Sequence, residues 1–143
     1  MQMTDGAMQS FALTLDKFLE HAAKWHHVAE VVTASSGRSV ARTSYAGLDR
    51  RARQVTLVLR GLGVRAGDRI GTLAWNTHAH LEAWYGILGI GAVYHTVNPR
   101  LFPDQIAWII NNAEDRMLFV DLTFLPIVEN LRDQIKTIEK IVK

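Results

Sequence analysis

The chain contains no cysteine, which excludes disulfides and thiolate metal sites and fits the cytoplasmic location expected for it. It also lacks any apolar run near the roughly 20 residues that cross a bilayer, so no transmembrane segment is expected. Neither sign of charge dominates: 16 basic residues stand against 14 acidic ones, a net charge of +2. Arg50, Arg51, Arg53 and Arg60 form the one local basic cluster. They read as the solvated face of a helix, and no nucleic-acid partner is expected, because that would need a basic stripe interleaved with aromatics or a known motif. The first residues, MQMTDGAMQSFALTL, carry Asp5 and no basic start before an apolar core, so they do not read as a secretory signal. Gly-x-Ser-x-Gly and His-Glu-x-x-His patterns are missing as well.

What remains is ordinary globular composition, 48% hydrophobic and 21% charged over 143 residues. That length suits one domain burying roughly 68–70% of its unfolded surface. Residues 1–12 are polar and unpatterned and are expected to be a mobile start. Thr14 is placed to cap a helix over about 15–25, with Leu15, Phe18, Leu19 and Ala22 on one face. Two β-prone runs, 28–33 and 38–43, flank Ala-Ser-Ser-Gly and predict a hairpin.

Ser44 reads as the N-cap of the clearest amphipathic helix. Its stripe is Tyr45, Leu48, Ala52, Val55, Leu59 and Leu62, ended by Gly61 and Gly63. Then elements alternate. A strand is predicted over 69–75, followed by a helix capped by Asn76 and running to about Leu88. A strand over 92–97 precedes a helix opened by Pro103 and ended by Asn111-Asn112. A strand over 117–121 and a helix over about 125–134 follow, and 137–143 reads equally as a helical extension or a strand. Such alternation implies a parallel sheet with right-handed crossovers.

Chemistry-bearing residues are sparse. Gly86, Gly89 and Gly91 have dinucleotide-like spacing, but they follow a helix instead of a strand, so close packing and a helix stop are the reading. His78 and His80 point about 200° apart on a helix and cannot easily share a metal. They and His95 read as structural or surface residues. Glu114-Asp115-Arg116 reads as a turn before a strand. Asn98, Arg100 and Asp121 sit at the carboxyl ends of predicted strands, where open α/β sheets bind ligands. They are the candidates for a ligand-side loop. The bland alternatives are a rigid turn at Pro99, an Arg100 bonded to backbone carbonyls or a carboxylate, and Asp121 as a helix cap. No catalytic, metal-ligating or cofactor-binding residue is assigned.

Several runs carry a family resemblance. They are Ser44-Tyr45, Leu62-Gly63-Val64, Gly67-Asp68-Arg69, Ala74-Trp75-Asn76, Tyr85-Gly86 and Gly89-Ile90-Gly91-Ala92-Val93. Asn98-Pro99-Arg100-Leu101-Phe102-Pro103 and Gln105-Ile106 complete the set. Together the chain resembles the N-terminal segment of acyl-CoA synthetases, adenylate-forming AMP-binding ligases of the fatty-acid or methylmercaptopropionate type. The resemblance implies Rossmann-like βαβ units preceded by a small helix and hairpin, with residues 13–143 an incomplete part of a larger N-terminal domain. It also implies ATP, Mg2+ and CoA as cofactors and a carboxylic acid as substrate, all in the full-length family member. None of these is expected to be held by this segment. The family's phosphate loop resembles Ser-Gly-Thr-Thr-Gly-x-Pro-Lys-Gly, and no such run occurs here, so the segment is expected to stop before that loop and to be inactive alone. Homodimerisation or other self-association through an unpartnered edge is expected. A standalone, non-catalytic binding module on the same scaffold is the alternative, and an unrelated small α/β enzyme using Asp121 or the Asn98–Arg100 loop is the third.

Overall fold

The computed structural model describes residues 12–34 and 40–143. Most of the expected mobile start and the turn of the expected hairpin lie outside these residues. The chain forms α1 (Asp16–Trp25), β1 (Glu30–Ala34), β2 (Val40–Ser44), α2 (Tyr45–Gly61) and β3 (Arg69–Leu73). There follow α3 (His78–Leu88), β4 (Val93–Thr96), α4 (Pro103–Ala113) and β5 (Met117–Val120). A 3-10 turn (Leu122–Phe124), α5 (Leu125–Asn130) and β6 (Lys140–Val142) complete it.

β1 and β2 pair antiparallel, and the other strands form a four-stranded parallel sheet in the order β4-β3-β5-β6. The chain steps from β3 outward to β4, then crosses back over β3 to reach β5. With right-handed crossovers, that reversal places α3 and α4 on opposite faces. Side-chain alternation fits: Ile70 and Met117 join Leu59 and Ile87 under α2 and α3, whereas Leu73, Leu118 and Val120 join Ile106 and Ile110 under α4. A smaller cluster, Leu19, Leu48 and Ala52, ties α1 and α2 together, with Val31 of the hairpin and Leu81 and Tyr85 of α3 packed against it.

The amphipathic reading of α2 holds. Ser44 Oγ accepts from Gly47 N–H at 3.1 Å, a cap worth about 1 kcal/mol. Leu48, Ala52 and Leu59 are buried, while Arg51 and Arg53 point outward to Glu82 and Asp49.

Several boundaries differ from the sequence reading. Thr14 does not cap α1; the N-cap is Leu15, with no side-chain bond. Thr77, not Asn76, caps α3, its hydroxyl accepting from His80 N–H at 3.3 Å. β3 ends at Leu73, so Ala74 and Trp75 belong to the loop. α4 continues past Asn111-Asn112 to Ala113 and stops at Glu114, which adopts the left-handed conformation at φ 52°. The expected helix over 125–134 is shorter, ending at Asn130, and begins behind a 3-10 turn. The ambiguous tail resolves into β6, paired in parallel with β5.

Candidate functional site

The reversal of strand order around β3 creates a switch point at the carboxyl ends of β3 and β5, the place where open α/β sheets leave a crevice for ligands. Three loops meet this edge. After β4, Asn98 Oδ1 accepts from Arg100 N–H at 3.0 Å, closing a tight Asx turn around Pro99. The Arg100 side chain is exposed, and its guanidinium bonds to no described residue; the expected tie to carbonyls or a carboxylate is not made. After β5, Asp121 Oδ1 accepts from Thr123 N–H at 2.9 Å and from the Thr123 hydroxyl at 2.8 Å. Asp121 is thus a cap, for a 3-10 turn instead of a regular helix.

After β3, the Trp75 indole N–H donates to Thr123 Oγ1 at 2.9 Å, and its ring lies 4.7 Å from that of Phe124. The Trp75–Thr123–Asp121 chain therefore bridges the switch point. Sequence reading missed Trp75 and Thr123 in this role. On the α2–α3 side of the bridge lies a hollow of about 370 Å3 whose charged rim is Asp121 and Lys143. Asn98 and Arg100 share one turn, while Asp121 is turned toward Thr123 on the other side of β3.

Two polar clusters lie deeper. His80 Nε2 is 2.9 Å from Thr72 Oγ1 and 2.8 Å from the Tyr94 hydroxyl. Burial pushes the His80 imidazole below its usual range and the Tyr94 phenol above its own, so both are held neutral. His78 instead reaches the hairpin, its N–H donating to Thr33 Oγ1 at 2.9 Å. On the opposite face, His95 Nδ1 meets Asp115 Oδ2 at 2.7 Å. Glu114-Asp115-Arg116 is the expected turn before a strand, and within it Asp115 is completely buried. Burial raises the Asp115 carboxyl above its ordinary range, opposed by His95 and Arg69, and its Oδ1 has no partner. Gly71 makes the room: a Cβ there would sit 2.8 Å from Asp115 Oδ2. Among the described residues no three His, Asp or Glu side chains converge as a metal site, and no helix is long and apolar enough to cross a membrane.

This parallel sheet, entered by a helix and hairpin and lined at its carboxyl edge by strand-end loops, is matched by a known family. The model of the AMP-binding enzyme family covers residues 18–143, and the chain belongs to that family. Its relatives include the 3-methylmercaptopropionyl-CoA ligase of Ruegeria pomeroyi, 44% identical over 96% of this chain and 25% of that protein. They also include the long-chain-fatty-acid–CoA ligase of Thermus thermophilus, 44% identical over 99% of this chain and 26% of that protein. Among solved structures, the fatty acyl CoA synthetase of Mycobacterium tuberculosis superposes with a TM-score of 0.81 at 22% identity, over 90% of this chain and 26% of that one. That last likeness establishes the fold. The chain spans about a quarter of the length of the curated relatives it matches. Family membership displaces the reading of an unrelated small α/β enzyme.

Proposed function

We propose that these residues are the N-terminal scaffold of an acyl-CoA ligase, which activates a carboxylic acid with ATP and transfers the acyl group to CoA. The observation that supports it most is the 44% identity to two proteins named as CoA ligases, across nearly the whole chain. In this reading the longer protein joins the carboxylate to the α-phosphate of ATP, releasing pyrophosphate, and the CoA thiol then displaces AMP from the acyl-adenylate. The acid is of the fatty or methylmercaptopropionate kind.

The residues present do not themselves fit ATP and Mg2+. The β3–α3 loop, Ala74-Trp75-Asn76-Thr77, has no glycine to let phosphates approach the backbone, and Trp75 is tied across it to Thr123. No trio of carboxylates or histidines converges among the described residues. No catalytic step is therefore assigned here, and the segment alone is read as inactive. Within the whole protein, residues 13–143 supply one flank of the AMP-binding domain. Arg100 is the side chain best placed to meet an anionic ligand, because its planar donors bond to no described residue and it lies in the loop that leaves the carboxyl end of β4. Asn98 fixes the turn that presents it. Asp121 orders the neighbouring loop.

The test is ATP–pyrophosphate exchange, run on the 143-residue chain and on the protein made from its gene read past the codon for Lys143, against a panel of short, medium and long carboxylic acids. Exchange by the longer protein alone is the expected result. Exchange by the short chain, or none by a folded longer product with any acid, would refute the reading.

A further inference from the structure

The outer side of the Thr72–His80–Tyr94 cluster borders a cleft of about 540 Å3 between β1, α3 and β4. Val31 and Leu81 form its aliphatic wall. Trp84 and Tyr94 form its aromatic wall, their rings inclined by only 14° with centroids 5.3 Å apart. No Asp, Glu, Lys or Arg is among the described residues that line it. Its volume falls within the ~300–1,000 Å3 of small-molecule pockets, which are mostly apolar with a few convergent polar groups.

The polar group here is a hydroxyl with a choice of acceptor. The Trp75 backbone favours a proton on the His80 imidazole, which we assign to Nδ1, leaving Nε2 as an acceptor with one lone pair. Two hydroxyls compete for it, Thr72 at 2.9 Å and Tyr94 at 2.8 Å. Only one can donate. If Tyr94 does, the fully buried Thr72 hydroxyl turns to the Tyr94 oxygen or to the His95 carbonyl at a long 3.4 Å. A carbonyl oxygen entering the cleft can take the Tyr94 proton while Thr72 closes on Nε2. That exchange trades Thr72's bond to the Tyr94 oxygen or the His95 carbonyl for one to Nε2, so neither hydroxyl is left without an acceptor. An acceptor-bearing guest is therefore favoured over a hydrocarbon. A charged one is disfavoured, because burial already keeps His80 and Tyr94 neutral and no Lys or Arg among the described residues lines the cleft.

We propose that this cleft binds an uncharged small molecule with a flat apolar ring and a carbonyl oxygen, the ring against Trp84 and Leu81 and the oxygen accepting from Tyr94. The site is separate from the ligase reading. A substrate carboxylate would find no cation among the described residues of the lining, so either idea can fail while the other stands.

Acetophenone, ethylbenzene and benzoate, alike in ring and differing in the oxygen, are titrated into the isotope-labelled 143-residue chain and followed by amide and indole N–H NMR shifts. Acetophenone is expected to give saturable shifts centred on Val31, Leu81, Trp84 and Tyr94. Ethylbenzene is expected to bind ~2–10-fold more weakly, the net worth of one hydrogen bond, and benzoate not measurably. Tyr94→Phe keeps the ring and is expected to reduce acetophenone to the affinity of ethylbenzene, whereas Trp84→Ala weakens both. Equal binding of acetophenone and ethylbenzene to the parent chain would overturn the proposal without reliance on any variant. So would an unchanged acetophenone affinity in Tyr94→Phe, or shifts centred elsewhere.

Discussion

The crossing of α2 and α3 hangs on one missing methyl group. A Cβ built on Gly86 would lie 2.5 Å from Val55 Cβ, 2.6 Å from its Cγ1 and 3.0 Å from the Ala52 carbonyl oxygen. Val55 Cβ is fixed to the backbone, so no rotamer change relieves the clash. Gly86→Ala must force the helices apart. The same movement stretches the bond from Thr56 Oγ1 to the Gly86 carbonyl, now 2.7 Å. Alanine returns about 1 kcal/mol of helix propensity. Against this stand overpacking of about 1–3 kcal/mol, sometimes more, and about 1 kcal/mol for the weakened hydrogen bond. The expected net loss is about 1–3 kcal/mol, or ~3–10 °C in melting temperature for a domain of this size. Thermal unfolding by far-UV circular dichroism measures it. Gly61→Ala is the control: its Cβ meets nothing within 4 Å, and it should be neutral or stabilise by up to about 1 kcal/mol. Val55→Ala should recover part of the loss in the Gly86→Ala background and cost stability in the parent. A Gly86→Ala chain that melts at or above the parent would refute the reasoning.

Asp115→Ala strips His95 of its partner and empties the space above Gly71, so a destabilisation of about 2–4 kcal/mol is expected from urea midpoints. Asp68 accepts from Arg65 N–H at 2.9 Å and from Arg116 at 2.7 Å, and these bonds, the first above all, hold its carboxyl below the usual range. Its contribution is therefore present above the ordinary Asp value of about 3.9 and lost as pH falls through the lower folded value. Asp68→Asn should be less stable than the parent at neutral pH, with the gap closing below about pH 4 in a pH series of urea titrations. Phe102 and Trp108 are 77% and 65% exposed beside α4, and β6 leaves an open sheet edge, so the isolated chain is expected to self-associate at high micromolar concentration. A single monomeric species in sedimentation velocity would count against that.

What the sequence disclosed and what it hid divide along a physical line. The α2 stripe, the Ser44 cap and the βαβ alternation are local patterns, set by side chains within a few residues of one another, and they were legible. The place of the α3 cap was not, although Asn76 and Thr77 are both good caps. His78 N–H is taken by Thr33 of the hairpin, 45 residues away, and that contact helps set where the helix begins. Asp115 is the sharper case. Its neighbours Glu114 and Arg116 are what a surface turn should contain, and nothing local marks it for burial. It goes inside because β3 offers a glycine at 71 and β4 a histidine at 95, and parallel register sets these two side by side. The Trp75–Thr123–Asp121 bridge has the same origin, since it exists only once β3 and β5 are neighbours. The candidate site was accordingly half visible. Strand-end position alone singled out Asn98, Arg100 and Asp121. Which of them has a side chain left to offer a ligand depended on bonds that only the fold creates: among the described residues none takes the Arg100 guanidinium, and Asp121 is committed to Thr123.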